Sequence, residues 1–213
     1  MRKTFTRLMA AGTLAAAALA APSAHALPVL GFADVVLNYS DSGAGPFAGP
    51  YGGLGGISGA FPVAVPLSVV LGSDVAGSES FLSLPTGSSI TVGFIDETVI
   101  DGVGNDIFIR EIGASGERAE VYVSKDNVTF VLLGIANDSV TTSFDLASIG
   151  FTDPVTAIRI VGLDSLGGSP GFDVVNIEVL PGSIGPGTVS APGTLALAGL
   201  ALAGLGLAAR RRG

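Results

Sequence analysis

The chain has 213 residues, no cysteine, no tryptophan, one histidine and a net charge of −8. All eighteen acidic residues lie between positions 27 and 190, where the bases are Arg110, Arg118, Lys125 and Arg159 alone, so this stretch stands at −14. A surface that acidic repels nucleic acid and favours cations, which excludes DNA and RNA as partners. With His25 confined to the first 26 residues, the stretch also lacks a thiol nucleophile, a Ser-His-Asp triad and any His/Cys site for zinc or copper.

Residues 1–26 have the three parts of a secretory signal. Arg2, Lys3 and Arg7 give a positive start, "LMAAGTLAAAALAA" a short apolar run, and "SAHA" places Ala24 and Ala26 where a signal peptidase reads small residues. Cleavage is expected before Leu27, with the export machinery and signal peptidase as the first partners. An exported domain without disulfides has its core, and any cation it binds, to hold it together.

A single domain is expected over 27–182. "DVVLNY" (34–39) reads as its first strand, and the Gly/Pro-rich stretch 40–62 as a long loop. Its Phe47, Tyr51 and Phe61 either pin the loop to the domain or meet a ligand. Strand-like runs follow at 67–72, 80–84, 89–94, 106–111, 119–124, 128–134, 157–163 and 172–180. In "AEVYVS", Ala119, Val121 and Val123 point one way and Glu120, Tyr122 and Ser124 the other, while Asp126-Asn127 marks a hairpin corner. "FDLASIG" (144–150) hints at one helical turn. Many short strands, polar turns and almost no helix predict an all-β antiparallel β-sandwich.

The densest polar stretch is "DETVIDGVGNDIFIRE" (96–111). Asp101, Asn105 and Asp106 surround two glycines there, and side-chain and backbone oxygens on a tight loop suit calcium, which takes six to eight oxygens. An ordinary Asp-Gly/Asn-Asp turn is the other reading. A second acidic loop carries Asp164 and Asp173, and Asp173 joins the calcium candidates if the fold brings it to Asp101. Sugar binding asks for aromatic platforms. The stretch offers Tyr39, Tyr51, Tyr122 and ten phenylalanines, most of them expected to point inward, with Arg110, Arg159 or Asn137 as polar partners. For a glycosidase the carboxylates of Glu97, Glu111, Glu117 and Glu120 are available, and Lys125 with a serine for a dyad, but no motif fixes a pair.

Residues 183–194 read as a linker, followed over 195–213 by a hydrophobic helix and an arginine cluster. Leu195 to Ala209 is apolar apart from three glycines; as a helix it covers about 22 Å, short of the roughly 30 Å hydrocarbon core. Arg210, Arg211 and Arg212 stay cytoplasmic by the positive-inside rule while the chain before them is exported. A transient membrane insertion fits better than a permanent span.

This tail, "APGTLALAGLALAGLGLAARRRG", resembles the PEP-CTERM sorting signal of Gram-negative surface proteins. Where that signal has Pro-Glu-Pro, this chain has "SAPG", with Ala191, Pro192 and Gly193 at the site. The resemblance implies an exosortase-type membrane protease as a partner and a destination at the cell surface, the outer membrane or the extracellular matrix. Residues 89–179, with "SITVGF", the Asp101–Asp106 loop, "VYVSKDNVTF" and "GFDVVNI", are similar to exported bacterial proteins carrying a galactose-binding-like jelly roll of the discoidin and carbohydrate-binding-module type. Relatives of that kind often hold a structural calcium, and many bind sugars. The expectation is an exported, non-catalytic, calcium-stabilised sandwich. A module for exopolysaccharide is the alternative, with a glycoside hydrolase more distant.

Overall fold

The computed structural model describes residues 31–55, 59–73, 79–138 and 142–185. The signal residues Ala24, Ala26 and Leu27 and the sorting residues Ala191, Pro192, Gly193 and Arg210 to Arg212 lie outside the described residues. Among the described residues no helix is long and apolar enough to cross a membrane.

Thirteen strands are present in this part of the chain: β1 (Val35–Ser40), β2 (Tyr51–Leu54), β3 (Ala60–Ala64), β4 (Phe81–Leu84), β5 (Ser89–Gly93), β6 (Thr98–Val99), β7 (Ile107–Glu111), β8 (Arg118–Ser124), β9 (Val131–Asn137), β10 (Thr142–Phe144), β11 (Ala157–Gly162), β12 (Phe172–Val179) and β13 (Ile184–Gly185). A five-stranded sheet runs β1-β5-β11-β8-β9, a six-stranded sheet β10-β7-β12-β4-β2-β3, and β13 pairs with β6. Every pairing is antiparallel. The protein is the expected antiparallel β-sandwich of jelly-roll type.

Alternation along the strands builds the core. Ala119, Val121 and Val123 of β8, Ile90 and Val92 of β5, and Ile158 and Ile160 of β11 are buried in one cluster with Leu82, Leu84, Ile107, Ile109 and Phe172 of the opposing sheet. Burying each larger aliphatic side chain contributes about 1.5–3 kcal/mol. In β12 the pairing with β7 shifts between Val174 and Asn176. This bulge lets Phe172 and Val174 on one side of it, and Ile177 and Val179 on the other, all enter the core.

Several details depart from the linear reading. The 67–72 run is a 3-10 turn, Leu67–Val70, rather than a strand, because the chain folds back behind Pro66 and Val69 N–H donates to the Pro66 carbonyl at 3.2 Å. The 40–62 stretch contains β2 and the start of β3. At the hairpin corner Asn127 has φ 55° and Asp126 Oδ1 accepts from Val128 and Thr129 N–H, which delays β9 to Val131. The helical hint at 144–150 is a 3-10 turn, Leu146–Ile149, capped by Asp145 Oδ1 on Ala147 N–H. Strand pairing continues through Gly185, inside the stretch read as linker.

Candidate functional site

The outer face of the six-stranded sheet carries the site. Leu82 and Leu84 of β4 point into the core, so Phe81 and Ser83 point outward, and on the neighbouring β12 Asp173 does the same opposite Ser83. Phe81 lies flat because Gly53 lies beneath it: a β-carbon there would stand 2.2 Å from Phe81 Cε1. Phe61 of β3 meets Phe81 with ring centroids 6.2 Å apart, tilted by 53°. The segments 112–115, after β7, and 167–169, before β12, close the remaining sides. Together these residues line a cavity of about 270 Å³, with Phe61 40% exposed at its mouth and Asp173 7% exposed within it.

Asp173 sits at the end of a short polar chain. Ser83 donates its hydroxyl to Asp173 Oδ1 at 2.5 Å, and the Ser169 hydroxyl lies 2.8 Å from Ser83 Oγ. Glu111, Glu117 and Asp173 each bring a carboxylate oxygen within 4.8 Å of the others. Glu117 is buried and holds the loop before β12, its Oε1 accepting from Leu166 N–H at 3.0 Å and Gly171 N–H at 2.7 Å. Burial, reinforced by the neighbouring carboxylates Glu117 and Glu111, pushes the Asp173 carboxyl up to about 9. Burial likewise raises Glu117 to about 7. The four described bases are engaged elsewhere: Arg110 with Glu79, Arg118 with Asp164, Lys125 with Asp153, and Arg159 over the Phe130 ring.

The loop aromatics divide between the two roles open to them. Tyr51 pins the loop: it is buried and its hydroxyl donates to the Pro170 carbonyl, with Phe47 edge-on against its ring at 5.3 Å. Phe61 lines the cavity instead. Arg110, Arg159 and Asn137, the polar partners considered for a sugar, are not among the lining residues.

The calcium candidates separate into two places. Asp101 and Asp106 come together as the sequence suggests, and Asp145 joins them, with a carboxylate oxygen from each within 4.8 Å. Asp145 escaped sequence reading because its only local signal is that of a capping residue. Asp106 is fully buried and satisfied by protein donors: Gly102 N–H at 2.8 Å and Ser183 Oγ at 2.5 Å on Oδ1, and Leu146 N–H at 2.7 Å on Oδ2. Asn105 turns to Ser143 Oγ at 2.7 Å. Asp101 Oδ1 is buried, and among the described residues no donor reaches it. Asp173 belongs to the other cluster, with Glu111 and Glu117.

No family model matches the chain, and no curated protein matches it. Among solved structures, the chain is similar to the CBM32 of AlyQ in complex with 4,5-unsaturated mannuronic acid, at 11% identity and a TM-score of 0.40 over 55% of this chain and 86% of that one. It is similar to the C-terminal domain of a chitobiase from Bacteroides fragilis at 11% identity and a TM-score of 0.41, over 71% of this chain and 94% of that one. For CpGH89CBM32-4 produced by Clostridium perfringens the figures are 9% identity and a TM-score of 0.38, over 62% and 93%.

Proposed function

We propose that the chain is an exported, non-catalytic surface or matrix protein whose β-sandwich binds carbohydrate in the Phe61/Phe81/Asp173 pocket. The observation that carries this reading is the outward-turned aromatic pair set beside a carboxylate in one cavity. A sugar ring has an apolar C–H face and a rim of hydroxyls. Phe61 offers the first a flat partner, while Asp173 and the Ser115 and Ser169 hydroxyls serve the second. A holding role is favoured over a catalytic one because Glu117 Oε1 is already occupied by two main-chain N–H groups.

The test is capture of the exported protein on a glycan array and by insoluble polysaccharides. Retention on at least one glycan, lost in Phe61→Ala while the melting curve is kept, is the expected result. Retention on none ends the reading. The secretory signal and the PEP-CTERM-like tail support export with transient membrane insertion and processing by an exosortase-type protease. The mass of the protein recovered from cells checks this: it begins at Leu27 and ends near Pro192, and a mass that includes the arginine cluster refutes removal of the tail.

A structural calcium in the Asp101/Asp106/Asp145 group is the second part of the reading, supported by the buried, donorless Asp101 Oδ1. Melts in calcium and in EDTA decide it, and equal melting temperatures remove the ion.

A further inference from the structure

We infer that the carbohydrate taken by this pocket carries a protonated amine, an amino sugar whose ammonium is directed at Asp173. The inference rests on the carbohydrate reading above and narrows it.

Four observations lead to it. First, Asp173 is more than nine-tenths buried yet lines the cavity; Ser83 occupies its Oδ1, and Oδ2 accepts no hydrogen bond among the described residues. Oδ2 faces the 112–115 side of the cavity, 4.0 Å from where a β-carbon on Gly113 would stand. Second, Glu111 and Glu117 stand beside Asp173, and the charge of Arg110, Arg118, Lys125 and Arg159 is spent on other partners. Three carboxyl groups are therefore gathered at the base of a pocket with no positive side chain in its lining, where burial and mutual repulsion keep Asp173 protonated until a cation enters. Third, Phe61 and Phe81 both line the cavity, and the electrons of an aromatic ring attract an ammonium group. Fourth, the Ser115 and Ser169 hydroxyls stand in the same lining as Asp173. An ammonium needs three acceptors, and Asp173 Oδ2 with the Ser115 and Ser169 hydroxyls matches that number. Acetylating the amine removes the charge, so the gathered carboxyls gain no cation from the sugar.

The experiment is calorimetric binding, in EDTA, of the exported protein to glucosamine oligosaccharides, to the same oligosaccharides N-acetylated, and to a lysine-rich peptide. The free-amine sugars are expected to bind about tenfold or more tightly than the acetylated ones, as a charge-assisted hydrogen bond in a partly dry site allows. Asp173→Asn, which keeps an acceptor for Ser83, is expected to abolish the difference between the two sugar sets. Equal affinity of wild type for both sugar sets overturns the inference and leaves the carbohydrate reading standing. Binding of the lysine peptide with no sugar binding overturns both. Because the comparison of the two sugar sets is made on the wild type, the inference stays testable if Asp173→Asn does not fold.

Discussion

Asp106 and Asp173 hold opposite ends of β12. The Asp106 carbonyl accepts Leu180 N–H just past the C-terminal end of the strand, whereas Asp173 is its second residue. Seven residues of extended chain, about 23 Å, separate the two ends. The two acids thus do different work: Asp106 gathers donors from three segments of the chain, and Asp173 faces a cavity.

Replacing Asp106 by alanine leaves Gly102 N–H, Leu146 N–H and the Ser183 hydroxyl without their buried acceptor. A loss of about 2–5 kcal/mol in unfolding free energy is expected from urea titration. Glycan affinity of the folded fraction is expected to be unchanged, since the pocket is at the far end of the strand.

Gly53→Ala is expected to abolish glycan capture. Its β-carbon would stand 2.2 Å from Phe81 Cε1 and must displace the ring that forms one wall. Gly52→Ala is more severe, because its β-carbon meets the Phe81 carbonyl oxygen at 1.9 Å and the main chain cannot swing aside. Expression yield and melting temperature separate the two: Gly53→Ala folds and fails to bind, Gly52→Ala fails to fold.

The two adjacent glycines also explain why this site was hard to read in the sequence. A stretch rich in Gly and Pro has the composition of a loop, yet here it supplies β2, which needs glycine to lie beneath an aromatic ring. Strands with clear alternation, such as β8 and β11, were legible, as was the meeting of Asp101 and Asp106 on one tight loop. The pocket was not. Asp173 gains its meaning from Ser83 and Phe81, about ninety positions away, and no local pattern reports a cross-strand neighbour at that separation.

Phe61 and Phe172 offer a contrast within one residue type. Phe61 is 40% exposed, so Phe61→Ala is expected to cost less than about 1 kcal/mol of stability while removing glycan capture. Phe172 is fully buried, and Phe172→Ala is expected to cost about 3–5 kcal/mol. Denaturation midpoints measured alongside pull-downs check both.

Stability is expected to fall as the solution becomes alkaline. Glu97, whose two oxygens each lie 3.0 Å from Gly31 N, is raised from 4.5 to about 7, chiefly by burial. Glu117 rises from 4.5 to about 7, and Asp173 from 3.8 to about 9. Each holds its proton more tightly in the folded protein than in the unfolded chain. Raising the pH from about 5 to about 9 therefore ionises buried groups that the unfolded chain ionises freely, and stability drops across that window. The lowered carboxyls of Asp41 and Asp126 act only in more acidic solution. Melting temperatures in EDTA at several pH values test this, and a curve that rises toward pH 9 contradicts it.

The course of β12 has one more consequence. Val179 N–H donates to the Gly31 carbonyl, and Gly185 pairs with Thr98, so the described chain enters and leaves the sandwich at the Asp106 end. Phe61, Phe81 and Asp173 are at the other end. Any attachment through the residues beyond Gly185 therefore begins at the end of β12 remote from Asp173, and leaves the mouth of the pocket clear of the point where the described chain ends.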